Sequence, residues 1–168
     1  MTRVLGLVAS SCGGLDTRFV AELAAPAVER GWRLAVTLTP TAARWLESTG
    51  ELARLAALTD LDVRSVSRLP GQPRPHPDPD VFLFAPASAN SVAKLALGIA
   101  DNQALTLLGD VLGAPHVTIV VGYQLQDARL NHPAWKGHLE TLASAGVATH
   151  RLHYNRPWTD ILTLLPTP

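Results

Sequence analysis

Three clusters of small polar residues carry the chemistry open to this chain. Pro86-Ala87-Ser88-Ala89-Asn90-Ser91 follows an apolar run, Val81 to Ala85, and a helix starts at once. A buried strand that ends this way sets Ser88, Asn90 and Ser91 at the carboxyl edge of a sheet, where open α/β sheets bind ligands. Ser10-Ser11-Cys12-Gly13-Gly14 joins an earlier strand to a helix, a place where backbone N–H groups and the helix dipole favour a phosphate. That turn matches neither G-x-G-x-x-G nor the P-loop ending Gly-Lys-Ser/Thr. Thr39 and Thr41 add a hydroxyl pair at the next strand end. Hydroxyl clusters without Arg or Lys suit a phosphomonoester held by neutral donors. Each cluster also reads simply as a helix cap.

Chemistry beyond binding needs a base. The histidines, at 76, 116, 132, 138, 150 and 153, show no zinc-protease spacing, and most read as surface or capping residues. His76 stands apart. It lies in Pro70 to Pro79, just upstream of the strand that carries Ser88 and Asn90. Prolines exclude helix or central strand there, leaving a stiff connector or a flap over the crevice. A second polar stretch, Gly122 to Leu130, leaves another strand with Tyr123, Gln124, Gln126, Asp127 and Arg129 facing the same edge. Cys12 reads as a small residue in a tight turn, although a helix N-terminus would stabilise its thiolate.

The elements that position these groups alternate. Apolar runs predict strands over 4–10, 32–38, 61–66, 81–84, 117–121 and 147–152. Helical spacing covers 15–30, which Gly31 stops and Pro26 should kink. Further helices are expected over 42–46, 51–58, 92–100, 102–112, 132–145 and 158–165. Short connections between alternating strands and helices mean a parallel sheet within one α/β domain over residues 1–168. The 92–100 helix leaves only Lys94 polar, so it should be buried nearly all round, and a subunit interface would complete that burial.

Composition points the same way. Hydrophobic residues make up 47% and charged ones 17%, a surface poor enough in charge to be partly covered by other subunits. Lys plus Arg equals Asp plus Glu at 14 each, so nothing attracts a nucleic acid. A single cysteine rules out intrachain disulfides and multi-cysteine metal sites. The first ten residues read as a strand without signal-peptide layout, and no apolar run reaches membrane-spanning length, so a cytoplasmic location is expected.

Pro86-Ala87-Ser88-Ala89-Asn90-Ser91, with Lys94-Leu95-Ala96 and Gly98-Ile99-Ala100-Asp101-Asn102, closely resembles the PASANT region of the homo-oligomeric flavin-containing cysteine decarboxylases. Their superfamily includes phosphopantothenoylcysteine decarboxylases, lantibiotic-type peptidyl-cysteine decarboxylases and flavin prenyltransferases. Thr39-x-Thr41-Ala42 looks like the family's flavin-phosphate turn. His132-Pro133-Ala134 with Leu139-Glu140-Thr141-Leu142 and Gly146 is similar to its N-P-A…L-E-T-L…G helix.

The resemblance implies a Rossmann-like (flavodoxin-like) three-layer subunit in trimers or dodecamers. It implies FMN, with FAD the alternative, held by Ser10, Ser11, Thr39, Thr41, Pro86, Ala87, Ser88, Asn90, Asp101 and Asn102. The implied activity is lyase or oxidoreductase chemistry, an oxidative decarboxylation or related tailoring of a thiol-bearing peptide or small molecule. Against the family's substrate clamp P-x-M-N-x-x-M-W, gapless alignment sets Tyr123 on the Pro, Gln126 on the carboxylate-binding Asn and Leu130 on the Trp. The catalytic His position falls on Gln72, and His76 replaces it if the proline loop folds back. A flavin-binding subunit without turnover and a flavin prenyltransferase are the other readings.

Overall fold

The computed structural model describes residues 3–168. Its centre is a parallel sheet of five strands in the order β2-β1-β3-β4-β5: β1 (Val4–Ala9), β2 (Arg33–Leu38), β3 (Val81–Ala87), β4 (Thr118–Tyr123) and β5 (Ala148–Arg151). A parallel sheet needs cover on both faces, and the inner strands β1 and β3, with β4 over Ile119–Gly122, are accordingly apolar. Every residue of β3 is buried. Alternation divides the side chains cleanly. Leu5, Leu7, Leu34, Val36, Leu83 and Val120 share a core with Phe19, Leu23, Trp158 and Ile161, whereas Val8, Phe82, Phe84 and Val121 pack with Val92, Leu95, Leu105 and Leu142.

On the first face lies a continuous helical run made of α1 (Leu15–Arg18), a π-helical stretch (Phe19–Ala24) and α2 (Ala25–Glu29). The helices α3 (Pro40–Ser48) and α4 (Glu51–Ala56) follow, and a 3₁₀ segment (Trp158–Leu164) closes this layer. The second face carries α5 (Ala89–Leu97), α6 (Gln103–Val111) and α8 (Trp135–Ser144), with α7 (Asp127–Leu130) a single turn between β4 and α8. The result is the flavodoxin-like three-layer architecture expected from the alternation. No helix of the described residues is long and apolar enough to cross a membrane.

Several local expectations change. The 61–66 stretch forms one bridge, Arg64 with Thr37 at the edge of β2, because its polar residues leave no continuous apolar face to extend the sheet. Pro86 does not end its strand; β3 continues through a cis Ala85–Pro86 peptide to Ala87, with a register shift against β4 between Phe84 and Ala87. The helical run continues through Pro26, which lies just after the π-helical stretch. Proline lacks the N–H that would reach back to the Glu22 carbonyl, and the Thr159 hydroxyl donates to that carbonyl instead at 2.8 Å. The helix expected from His132 starts at Trp135. Within one chain α5 is buried along Ser91, Val92 and Leu95 only, while Leu97 at its end is 64% exposed and Ile99 just beyond it 45% exposed.

Gly6 is where β1 meets a fixed neighbour: a Cβ there would sit 2.3 Å from the buried Phe82 ring. Gly109, inside α6, has open space instead. Gly6→Ala should therefore lower unfolding free energy by about 1–3 kcal/mol through overpacking. Gly109→Ala should raise it by up to about 1 kcal/mol through helix propensity. Urea denaturation of the two variants reads the opposite signs.

Candidate functional site

From β1 the chain crosses to β2 on one side, while β3, β4 and β5 build outward on the other. The strand order therefore reverses between β1 and β3, and ligands of open α/β sheets bind beside such a reversal, at the carboxyl ends. Ser10 and Ser88 leave these two strands. The buried Ser10 N–H donates to the Pro86 carbonyl at 2.9 Å, and the Ser10 hydroxyl accepts the Ser88 N–H at 2.7 Å. Ser88 caps α5, its hydroxyl accepting the Ser91 N–H and lying within hydrogen-bonding distance of the Ser91 hydroxyl, both at 3.2 Å. Thr39 is the matching cap of α3, with the Ala42 N–H on its hydroxyl at 3.3 Å. Ser10, Thr39 and Ser88 thus build the frame, and Pro86 and Ala87 contribute buried backbone to it.

The groups left free stand around this frame. Ser11 and Thr41, both half-buried, follow the register partners Ala9 and Leu38 on adjacent strands, and exposed Asn90 opens α5. None of these three side chains makes a hydrogen bond among the described residues, nor do the backbone N–H groups of Ser11, Cys12, Gly13 and Gly14. Four consecutive unpaired N–H groups ahead of a helical run form a cradle for an anion. Gly14 adopts φ +91°, and a Cβ on it would meet Trp158 at 2.8 Å; one on Gly13 would meet the Tyr154 hydroxyl at 2.6 Å. The turn needs glycine at 14, while at 13 the close atom is the tip of the exposed Tyr154 side chain, which can give way. Burial pushes the Cys12 thiol up to about 12, so it stays protonated and serves as a small turn residue.

Beside the cradle, between the ends of β4 and β5, lies a cleft of about 460 Å³ lined by Gln126, Asp127, Arg151, His153 and Tyr154. Tyr123 is adjacent in sequence to this group, half-buried with its ring edge-on to Trp135 at 5.2 Å. Burial raises its phenol pKa, and nearby Arg151 opposes the shift. Gln124 is buried and its amide nitrogen has no partner among the described residues. Sequence reading nominated Tyr123 and Gln126 but missed Arg151, His153 and Tyr154. Their only advance signal was their place at the end of the last strand.

Three nominated residues are not brought here. Asp101 pairs with Lys94, and Asn102 caps α6 through the Leu105 N–H at 3.1 Å. Both lie beyond the far end of nine-residue α5, roughly 13 Å along its axis from the frame. His76 sits near the amino ends of the strands, in a separate cleft of about 600 Å³ with Gly6 and Phe82 in its wall. Its Nε2 lies 2.6 Å from the Asp62 carbonyl. Burial lowers its pKa, favouring the neutral ring. The seven residues of β3 stand between His76 and Ser88, about 23 Å of extended chain. The loop does not fold back, so within one chain His76 is no base for the Ser88 edge.

The described residues contain no cluster of His, Cys, Asp or Glu able to hold a metal ion. The geometry is that of a carboxyl edge with unpaired backbone N–H groups and an adjoining polar cleft. Among solved structures the chain is similar to the FMN-dependent cysteine decarboxylase TvaF of thioviridamide biosynthesis, at 23% identity and TM-score 0.71, covering 98% of this chain and 96% of that one. It is also similar to MrsD from Bacillus sp. HIL-Y85/54728, at 19% identity and TM-score 0.67, covering 92% of this chain and 86% of that one. Peptidyl-cysteine decarboxylase EpiD matches at 16% identity and TM-score 0.67, covering 92% and 90% of the two chains. These likenesses establish the fold. No curated protein matches the chain. The Flavoprotein family model matches residues 18–163, nearly the whole length. The chain belongs to the Flavoprotein family.

Proposed function

We propose that the carboxyl edge binds FMN and that the protein oxidatively decarboxylates, or otherwise redox-tailors, a thiol-bearing peptide or small molecule. The observation that carries this reading is the cradle of free N–H groups over Ser11–Gly14 beside the reversal in strand order. A phosphomonoester fits it without a cation, since the nearby Arg18 is already compensated by Glu22 at 2.8 Å. The Thr41 hydroxyl and Asn90 amide remain as further donors. FMN suits the site better than FAD because the cradle is a single short turn. Bound flavin supplies a two-electron acceptor. That acceptor would allow loss of a hydride from the carbon bearing the thiol and of the thiol proton, after which the bond to the carboxylate could break with its electron pair delocalised onto sulfur and CO₂ released. This chain's part is orientation: Tyr123 and Gln126 stand where a substrate would approach the edge.

A second reading, a flavin-binding subunit without turnover, draws support from one observation. His76 is occupied at the amino end of the sheet, and among the described residues no histidine hydrogen-bonds Ser10 or Ser88. We also propose a homo-oligomer, a trimer or a multiple of it, with Leu97 and Ile99 in the interface, since both are too exposed for a single chain to keep in water.

The purified protein should be yellow or take up one FMN per chain in calorimetry; Ser11→Ala should raise Kd about three- to tenfold, the worth of one hydrogen bond. Uptake of no FMN would end the reading. Under anaerobic conditions a cysteine-terminated peptide should bleach the flavin and release CO₂, and an inert flavin would favour the subunit without turnover. His76→Asn should leave that turnover unchanged. A loss of about 10²–10⁴-fold, the usual cost of removing a general acid–base, would instead put the imidazole across a subunit boundary. Sedimentation should show three chains or a multiple; a monomer at micromolar concentration would remove the oligomer.

A further inference from the structure

The cleft between β4 and β5 holds a cation with most of its donors unused. Arg151 ends β5 and is register partner to Tyr123. Its guanidinium carries five N–H donors in a planar fork. One contact is made, from Nη2 to the Asp127 carboxylate at 2.5 Å. Nε is buried without a partner, and no hydrogen bond engages Nη1 among the described residues. The partner is lopsided in the other direction. Arg151 is 29% exposed at its side chain, Asp127 is 86% exposed and stands on the single turn α7 at the rim. An exposed carboxylate held through one oxygen gains little from the pair and is readily exchanged. Among the described residues Asp127 is the only carboxylate lining the cleft, and the Gln126 side-chain amide beside it makes no hydrogen bond.

We propose that Arg151 is the receptor for a carboxylate of the ligand, and that Asp127 occupies it as an internal stand-in which the ligand displaces. A free carboxylate entering from the cleft can address the fork with both oxygens, the geometry guanidinium favours and Asp127 does not use. The ligand class that follows is an acid whose carboxylate is terminal and unhindered. In the peptide reading this is a chain with a free C-terminus rather than an internal or amidated residue. The assignment rests on the proposed function for its substrate class but on Arg151 alone for its chemistry.

Two dansyl-labelled glycine–alanine pentapeptides ending in cysteine, one a free acid and one a C-terminal amide, test it by fluorescence titration under reductant. The whole protein is used, with and without FMN. The acid should bind about tenfold tighter than the amide, as a charge-assisted pair commonly achieves. Asp127→Asn keeps the shape and removes the competing charge, so it should tighten the acid about three- to tenfold and leave the amide unchanged. Arg151→Gln should abolish the preference for the acid. Equal affinity for acid and amide in the unaltered protein overturns the proposal, as does an Asp127→Asn variant that binds the acid no better. FMN affinity is titrated on the same samples. A preference for the acid without FMN uptake would remove the flavin reading and keep Arg151; FMN uptake with no preference would do the reverse.

Discussion

Everything at the carboxyl edge depends on the bonds between the ends of β1 and β3. Where strand order reverses, the chain leaves the sheet in two directions and opens a gap lined by backbone that the ladder no longer pairs. Ser10 bridges that gap, its N–H on the Pro86 carbonyl at 2.9 Å and its hydroxyl taking the Ser88 N–H at 2.7 Å. A smaller side chain would leave the Ser88 N–H buried and unmet, and a larger one would push the strand ends apart. Because Ser88 also caps α5, one hydroxyl sets the start of that helix relative to the turn after β1. The free donors of Ser11 through Gly14 inherit their position from this bond.

The site is electrically quiet by construction. Arg18 and Arg151, near the edge, are already paired, with Glu22 and Asp127 respectively. What remains for an anion at the cradle is a set of oriented dipoles, which need no counter-ion and cost little to keep in water when empty. Arg151 differs because its pair is on the rim and uses one donor of five. On the proposed reading, two anionic groups would be met differently, one by neutral backbone, one by a cation that is lightly held.

How much of this was legible in the sequence follows from how local each signal is. The β3 strand and its polar exit are contiguous, and burial on both faces of a parallel sheet writes itself as the unbroken run Val81–Ala85. Ser10, Thr39 and Ser88 could be placed because a residue just after a strand must lie at its carboxyl edge. The same rule sets His76 at the opposite edge, since it precedes β3, although its nearness in sequence to that strand made it the candidate base. The cleft around Arg151 is different. Its walls come from segments 24 residues apart that meet only because β4 and β5 pair, and no local pattern announces that. The 61–66 stretch carries enough apolar residues to predict a strand, but Asp62, Arg64 and Ser65 interrupt its apolar face, and it forms a single bridge to β2. The Asp101–Asn102 pair was carried by resemblance alone, and in this chain it is spent on Lys94 and the cap of α6.

The segment from His153 to Arg156 is fastened in an unusual way. Arg18 donates to the carbonyls of His153, Tyr154 and Arg156, grips Glu22 with both arms and lies 4.4 Å over the Trp158 ring, while Glu22 accepts the Trp158 N–H at 2.7 Å. The contacts to residues 153, 154 and 156 are to main chain, which every amino acid shares. Side chains at those positions can therefore change from one descendant to another without loosening the loop, and the wall of the cleft can drift to suit new ligands while Arg18, Glu22 and Trp158 keep its course. Divergence among related proteins should gather in this short stretch and spare its anchor, making it a natural place to alter what the protein accepts by selection in the laboratory.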